Sequence, residues 1–372
     1  MTSIYLIRHA EAEGNLYRIA QGQYDSNLTD RGWRQVQALE RRFVDIHIDA
    51  VYSSDLYRTC ATASAIYKPK GLPLHRVREL REICVGDWEQ RTWGDIYRQD
   101  PEQMENFSLH PEKWHVPGAE TPRQVLERTL TAIQEIARIN DGKTVAVFSH
   151  GYAIRLTLAA LQGYTVEQLA QTPVGDNTAV SLIEAKDGAL RVVFRDDNSH
   201  LQTLAGETAC KRANGLEPGL YFEPLHLPEQ TEWLVELTAA AWADAEKDCA
   251  FDRERLLADT AVRPTLVGYL GKEPVGLIQL GPENGWISLA CIRMDCRKRG
   301  FGIQLIGQAV QHTRPQSGEK LYISLTSGSA AERFFRDYGF ITAEAKDGHV
   351  VLMKDIGYDP EILDGSNECD FL

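Results

Sequence analysis

The sequence has no cysteine pair at metal-ligating spacing, no long apolar run and no excess of positive charge. Each absence removes a class of function. Seven cysteines are scattered over 372 residues. The odd number speaks against a complete disulfide framework, and Cys291 and Cys296, the nearest pair, read as two buried thiols rather than half of a metal site. No apolar stretch approaches the roughly 20 residues needed to span a bilayer. Residues 1–3 run straight into a strand with no basic-then-apolar leader, so the expected compartment is cytoplasmic. Lys and Arg total 40 against 53 Asp and Glu, a formal net charge of −13. That balance argues against nucleic acid or an anionic membrane as partner, since both reward basic surfaces. Any phosphate site in so acidic a chain must be a local basic pocket. The apolar content of 43% and charged content of 25% are ordinary for soluble globular protein. The length favours two domains over one core.

The most informative stretch is residues 4–15. A short apolar run ends abruptly in Arg8-His9, followed by small and polar residues through Asn15. Too short for a helix, the run reads as a fully buried strand. A cation and an imidazole at its carboxyl end stand where open α/β sheets place their ligand sites. Histidine offers a neutral nucleophile near neutral pH, and an arginine fork matches phosphate oxygens. Taken alone, a solvated Arg-His pair at a strand end is the favoured reading. Four more places shift the balance: Arg58 after a second strand-like run (residues 49–52), Glu82 after a third extended segment (74–77), His150-Gly151 closing the apolar strand 145–149, and Leu28-Thr29 with Gly32 and Gln35 opening a helix.

With these motifs in this order, the first 200 residues or so resemble the histidine phosphatase superfamily, the phosphoglycerate mutase-like group. The resemblance implies a mostly parallel sheet flanked by helices. It makes His9 the nucleophile that forms a phosphohistidine, with Arg8, Arg58 and His150 around the phosphoryl oxygens and Glu82 as general acid and base. Asn15, Gln21, Gly22 and Gly151 are the implied substrate contacts. Position 10 is alanine where many members carry glycine. No basic cluster of the mutase branch is evident between residues 89 and 117, so water is the expected acceptor. The stretch 92–117 reads as an irregular insertion, a lid in which Lys113, Trp114 and His115 are candidate mouth residues against a plain solvated surface. Asp55 is the expected cap of the helix carrying Arg58. His200 is expected to be structural.

From 204 to 218 periodicity is lost, which marks a linker. Strand patterns at 265–270, 274–280 and 286–294 then lead into Arg297-Lys298-Arg299-Gly300-Phe301-Gly302 and a helix from Ile303. A glycine-bearing loop opening a helix aims N–H groups and the positive dipole end at an anion. Joined by residues 321–325 and 331–340, this loop makes residues 219–356 similar to the GNAT family of acetyltransferases, an α+β fold with a mixed, mainly antiparallel sheet. The resemblance implies that Arg297 to Ile303 cradle the pyrophosphate of acetyl-CoA. Phe335 stands where many members place a tyrosine acid, and Tyr338 reads as a packing residue.

The expected organisation is therefore a phosphatase domain at 1–203, a linker at 204–218, a GNAT domain at 219–356 and a solvated acidic tail at 357–372. The expected function is bifunctional: hydrolysis of a small phosphorylated metabolite, without a cofactor, and acetyl transfer to an amine. Two alternatives remain at this level. One is a phosphatase with a non-catalytic acyl-CoA sensor, the other a phosphoglycerate mutase-type phosphotransferase.

Overall fold

The largely apolar run after Ser3 forms a strand covered on both faces: Ile4, Leu6 and Ile7 are fully buried, the pattern of a central parallel strand. The computed structural model describes residues 1–204, 219–245, 251–362 and 367–368; the expected linker therefore lies, apart from Leu204, outside the described residues. Strands β1 (Thr2–Arg8), β2 (Ala50–Ser53), β3 (Leu74–Arg76), β4 (Thr144–Ser149), β5 (Val180–Lys186) and β6 (Ala189–Asp197) lie in the order β3-β2-β4-β1-β5-β6. The first four are parallel and the last two antiparallel, the mostly parallel sheet the sequence implies. Helices α1 (Glu13–Tyr17), α2 (Asp30–Phe43), α3 (Tyr57–Lys70), α4 (Trp93–Gln99), α5 (Pro101–Leu109), α6 (Pro122–Ile139) and α7 (Gly151–Leu161) connect and flank the strands.

Local chemistry sets most of these boundaries. Thr29 accepts a hydrogen bond from Gly32 N–H at the start of α2, and Thr121 with Gln124 forms a capping box behind the first-turn Pro122 of α6. The cap of α3 differs from expectation. Tyr57 N–H donates to both oxygens of Asp25 at 3.0 Å, because Asp55 is engaged by the Arg81 fork. The insertion at 92–117 is also more regular than expected. It contains α4 and α5, held down by Trp88, Trp93, Phe107 and Trp114, whose rings meet edge-on at 5.0–6.4 Å.

The second domain contains β7 (Tyr221–Pro224), α8 (Thr231–Ala245), α9 (Arg253–Val262), β8 (Thr265–Leu270), β9 (Glu273–Leu280), β10 (Trp286–Ile292), α10 (Gly302–Thr313), β11 (Lys320–Thr326), α11 (Ala330–Asp337), β12 (Ile341–Lys346) and β13 (His349–Asp355). Its sheet, ordered β12-β13-β11-β10-β9-β8-β7, is antiparallel except at β10–β11. That parallel pair has only two rungs, Trp286↔Tyr322 and Ile287↔Ile323. Beyond them the two strands share no ladder.

The domains meet along α1 and α10. One face of α10 buries Ile303, Ile306, Ala309 and Val310 in its own domain's core. A stripe through Gln304, Gly307, Gln311 and Arg314, at helical spacing, faces the first domain. Tyr17 and Ile19 from the first domain join the second domain's core. Arg314 donates to both oxygens of Glu13 at 2.8 and 2.9 Å, and Gln311 to the Gln90 carbonyl at 2.6 Å. The chain end adds a second tie. The expected solvated tail is instead docked over its described part: the Tyr358 and Tyr57 rings stand 4.8 Å apart, Ile362 is buried in the first domain's core, and β14 (Asn367–Glu368) extends the first sheet beside β3. Aromatic and apolar residues within the acidic stretch outweigh its charge.

Gly307 decides whether the two helices can touch, since a Cβ there would lie 2.6 Å from the Tyr17 Cβ. In a free helix Gly→Ala stabilises by about 1 kcal/mol. Here the sign reverses: Gly307→Ala should destabilise the chain by about 1–3 kcal/mol, the usual range for overpacking. Urea unfolding read by tryptophan fluorescence checks this, and a stabilised variant would show that the seam is loose.

Candidate active site

Parallel pairing of β1 with β4 sets Arg8 opposite Ser149. The next residue of each strand, His9 and His150, therefore emerges at the same sheet end, with ring centroids 5.3 Å apart. Nδ1 of His9 lies 2.7 Å from the Ala10 carbonyl. A carbonyl only accepts, so Nδ1 carries the proton and Nε2 keeps its lone pair. Burial, then the Arg58 and Arg8 cations, hold the His9 pKa well below its ordinary value. The ring stays neutral near pH 7. His150 is fully buried and shifted the same way by burial and then by Arg58. Its Nε2 lies 2.9 Å from Ser54 Oγ.

A cavity of 880 Å³ opens at this strand end, and Arg8, His9, Asn15, Gln21, Gly22, Glu82 and Gly151 line it. Seven of the expected residues of the first site thus line one cavity. Arg58 and His150 sit behind that wall, fully buried. Arg58 donates to the Gly22 carbonyl at 2.7 Å and the Tyr24 carbonyl at 2.9 Å, so it holds the loop that forms part of the rim. Gly22 has no room for a side chain, because a Cβ would meet the Ile83 carbonyl at 2.3 Å. Glu89 accepts from the N–H groups of Gly22, Gln23 and Tyr24 at 2.8–3.1 Å. Gly151 leaves space for the Arg8 guanidinium, 3.1 Å from where its Cβ would stand.

Glu82 spans the gap between its loop and α7. Its carboxylate accepts from Ile83, Tyr152 and Ala153 N–H, each at 3.0 Å; the last two are unsatisfied donors of the helix N-terminus. Arg128 on α6 fixes the loop from below by donating to the carbonyls of Glu79, Arg81 and Glu82 at 2.7–2.9 Å. The sequence reading missed Arg128, and its only signal was an arginine on the exposed side of a helical stripe. It also missed most of the cavity wall. Glu11 takes hydrogen bonds from Thr29 Oγ1 and Arg31 at 2.8 and 2.9 Å. The Thr92–Pro117 insertion contributes Trp93, Phe107 and Ser108. Trp114 is buried, Lys113 and His115 are exposed, and none of the three lines the cavity. His200 lies outside it as well, with Nε2 3.0 Å from Thr178 Oγ1.

The loop of the second domain divides in two. Arg299, Gly300 and Phe301 line this same cavity, whereas Arg297, Lys298, Gly302 and Ile303 do not. Gly300, at φ +83°, would place a Cβ in open space, and no side chain caps the N-terminus of α10. The N–H groups of Gly302 and Ile303 are therefore left to solvent or an anion, which fits a pyrophosphate, while that of Gln304 donates to the Phe301 carbonyl at 3.1 Å. Phe335 is buried in the domain core. Tyr338 packs against Phe334 at 5.1 Å between ring centroids. Among the described residues no cluster of three His, Cys, Asp or Glu side chains could hold a metal ion, and no helix is long and apolar enough to cross a membrane.

Residues 4–198 match the histidine phosphatase superfamily (branch 1), and residues 253–349 match the acetyltransferase (GNAT) domain. The chain is similar to phosphoserine phosphatase 1 of Hydrogenobacter thermophilus, 29% identical over 187 residues, covering 50% of this chain and 88% of the relative. It is 30% identical to a metal-independent phosphoserine phosphatase of Arabidopsis thaliana over 208 residues, 55% of this chain and 85% of the relative. A probable phosphoglycerate mutase GpmB of Proteus mirabilis is 31% identical over 163 residues, 44% of this chain and 76% of the relative. Among solved structures, YhfR of Bacillus stearothermophilus is 31% identical with a TM-score of 0.53, covering 54% of this chain and 100% of its own.

Two buried, neutral imidazoles make stability depend on pH. Their folded pKa values lie below the unfolded value of about 6.5, so between the two the unfolded chain binds more protons. Stability should therefore fall as the pH drops below about 6.5, by up to about 1.4 kcal/mol per pH unit for each imidazole. Urea unfolding from pH 7.5 to 5 measures this, and His150→Asn should remove one imidazole's share of the slope. An unchanged slope would mean that His150 charges freely in the folded protein.

Proposed function

Because the chain belongs to the histidine phosphatase superfamily, branch 1, through residues 4–198 and carries a GNAT acetyltransferase domain at 253–349, we propose that it hydrolyses phosphomonoesters through a phosphohistidine and binds acyl-CoA. The observation that carries the first part is the Nδ1–H hydrogen bond of His9 to Ala10, which leaves Nε2 unprotonated at the cavity wall. Nε2 attacks phosphorus, the bond to the leaving oxygen breaks, and Glu82 delivers a proton to that oxygen. Water then attacks the phosphohistidine, giving its proton to Glu82 and releasing inorganic phosphate and neutral His9. Arg8 meets the phosphoryl oxygens from the cavity wall, where charge spreads in a loose transition state. Arg58 acts from behind, through its field on His9 and its grip on Gly22 and Tyr24.

His150 has a buried Nδ1 without a protein partner. Ser54 Oγ accepts from Leu56 N–H at 3.4 Å, so its own proton is available to His150 Nε2. Assigned that way, the ring proton sits on Nδ1 as a donor. Hydrolysis is favoured over mutase chemistry by the cavity wall contributed by residues 89–117. Its three members are Trp93, Phe107 and Ser108, with no cation to retain a second phosphate.

In the second domain, the uncapped start of α10 and the unpaired stretch between β10 and β11 support acyl-CoA binding. When bound, the thioester would supply an activated acyl group to an amine. The chain's own part is to hold the pyrophosphate on the N–H groups of the 299–303 loop. A second reading, binding without transfer, is favoured by Phe335, which has no proton to donate and is 3% exposed.

His9→Ala should abolish hydrolysis of p-nitrophenyl phosphate, and wild-type enzyme quenched in alkaline detergent should carry an acid-labile phosphate on the peptide containing His9. Retained turnover in His9→Ala would end the nucleophile assignment. Acetyl-CoA at 100 times its dissociation constant should stabilise the chain by about 2.7 kcal/mol. Thermal unfolding reads this, and release of free CoA thiol with a panel of amines separates transfer from binding alone.

A further inference from the structure

Residues 356–359 follow the second domain's last strand, β13, yet they touch the loop at the rim of the first domain's cavity. The Tyr358 hydroxyl donates to the Asp25 carbonyl at 3.1 Å, Asn27 Nδ2 to the Gly357 carbonyl at 2.6 Å, and Asp359 N–H to the Tyr57 hydroxyl at 3.1 Å. The Tyr358 ring meets the Tyr57 ring at 4.8 Å between centroids and the Arg314 guanidinium at 5.0 Å. Arg314 also donates to the Ile356 carbonyl at 2.7 Å. Ile356 is buried in the second domain's core and Ile362 in the first domain's. The segment is thereby pinned on both sides of Tyr358.

What it holds bears on the chemistry. Arg58 takes the carbonyls of Gly22 and Tyr24, and Glu89 takes the N–H groups of Gly22, Gln23 and Tyr24. Both grips end at Tyr24. At the next residue, Asp25, the carbonyl accepts from Tyr358 while the carboxylate accepts from Tyr57 N–H at the start of α3. Arg58 is the residue after Tyr57. A shift at Asp25 therefore disturbs Arg58 twice, through the carbonyls that it grips and through the helix start that carries it. Tyr358 is 37% exposed, so loss of its hydroxyl should cost the fold little.

We propose that Tyr358 is a positioning residue of the phosphatase site. It holds Asp25, and through Asp25 it sets the 22–24 loop and the start of α3, where Arg58 acts on His9. The inference rests on the phosphatase reading and goes beyond it, since Tyr358 lies outside residues 4–198, the stretch that matches the phosphatase family. The first domain's site is then complete only with the segment that follows the second domain.

The test measures kcat and KM for p-nitrophenyl phosphate with the full chain, well below the unfolding midpoint of each variant. Tyr358→Phe keeps the ring and loses the hydroxyl. Its kcat should fall about fivefold, the size of one neutral hydrogen bond, at an almost unchanged midpoint. KM should move less than kcat, because Tyr358 touches no part of the substrate. Tyr358→Ala also loses the contacts with Tyr57 and Arg314, and its kcat should fall further. Because Tyr358 acts through Arg58, the drop caused by Tyr358→Phe should shrink toward nothing in an Arg58→Lys background, the non-additivity of coupled residues. Wild-type kcat in both Tyr358 variants overturns the inference, as does a loss that vanishes when activity is counted per folded molecule. The full fivefold drop in the Arg58→Lys background overturns it as well. With Arg58→Lys unfolded or inactive, the two single variants decide. Each of these outcomes leaves the phosphatase reading intact, whereas a wild-type chain that hydrolyses no phosphomonoester overturns both.

Discussion

The first domain depends on one register. Because β1 and β4 are parallel and adjacent, with Arg8 opposite Ser149, the two histidines that follow these strands reach the same place without any loop bringing them there. The consequence is electrostatic. Burial and the Arg58 cation act on both rings in the same direction, so the pair stays neutral where a solvent-exposed imidazole would be half charged. Neutrality is what the proposed nucleophile, His9, requires, and burial and fixed cations favour it.

Around that register the loops are held mostly by side chains bonded to backbone. Arg58 and Glu89 together engage the carbonyl or N–H groups of residues 22–24. Arg128 engages three successive stations of the Glu82 loop. Glu82 in turn satisfies N–H groups at the start of α7. Each of these charges has a partner that no side-chain substitution on the opposite element can remove. Such interactions rigidify a site more than exposed ion pairs do, because the backbone cannot rotate away.

How much of this was legible in the sequence follows from what each signal depends on. His9, Glu82 and His150 were readable because each closes or follows a strand-like run, and strand ends are encoded locally. The Asp25 cap of α3 was not, since Asp25 is far from Tyr57 along the chain and Asp55 was the nearer candidate. The insertion at 92–117 read as irregular because its helices are short, and its aromatic residues serve a cluster rather than a periodic face. The chain end read as solvated because its charge is visible locally, while the partners of Tyr358 and Ile362 lie some 300 residues away. The shared cavity was hidden for a further reason: no motif in either half mentions the other.

The joint between the halves has the character of an intradomain core rather than of two modules on a tether. Glycine in the middle of α10 costs helix stability, about 1 kcal/mol relative to alanine, and an isolated acetyltransferase-like domain gains nothing from it. Tyr17 explains it, by lying where a side chain at 307 would be. Gly94 is placed the same way, since a Cβ there would meet the backbone carbonyl of Gly219 at 2.6 Å. The Glu13–Arg314 pair is mostly buried, with side chains 8% and 16% exposed. Either charge left alone at that depth would be strongly destabilising. Two close backbone approaches and one buried ion pair, contributed from both sides, are mutually dependent features. Separating the domains would expose the Tyr17–Ile19 part of the core and strand both charges. The loop of residues 299–301, which lines the cavity, is therefore set by the same contacts that set the joint.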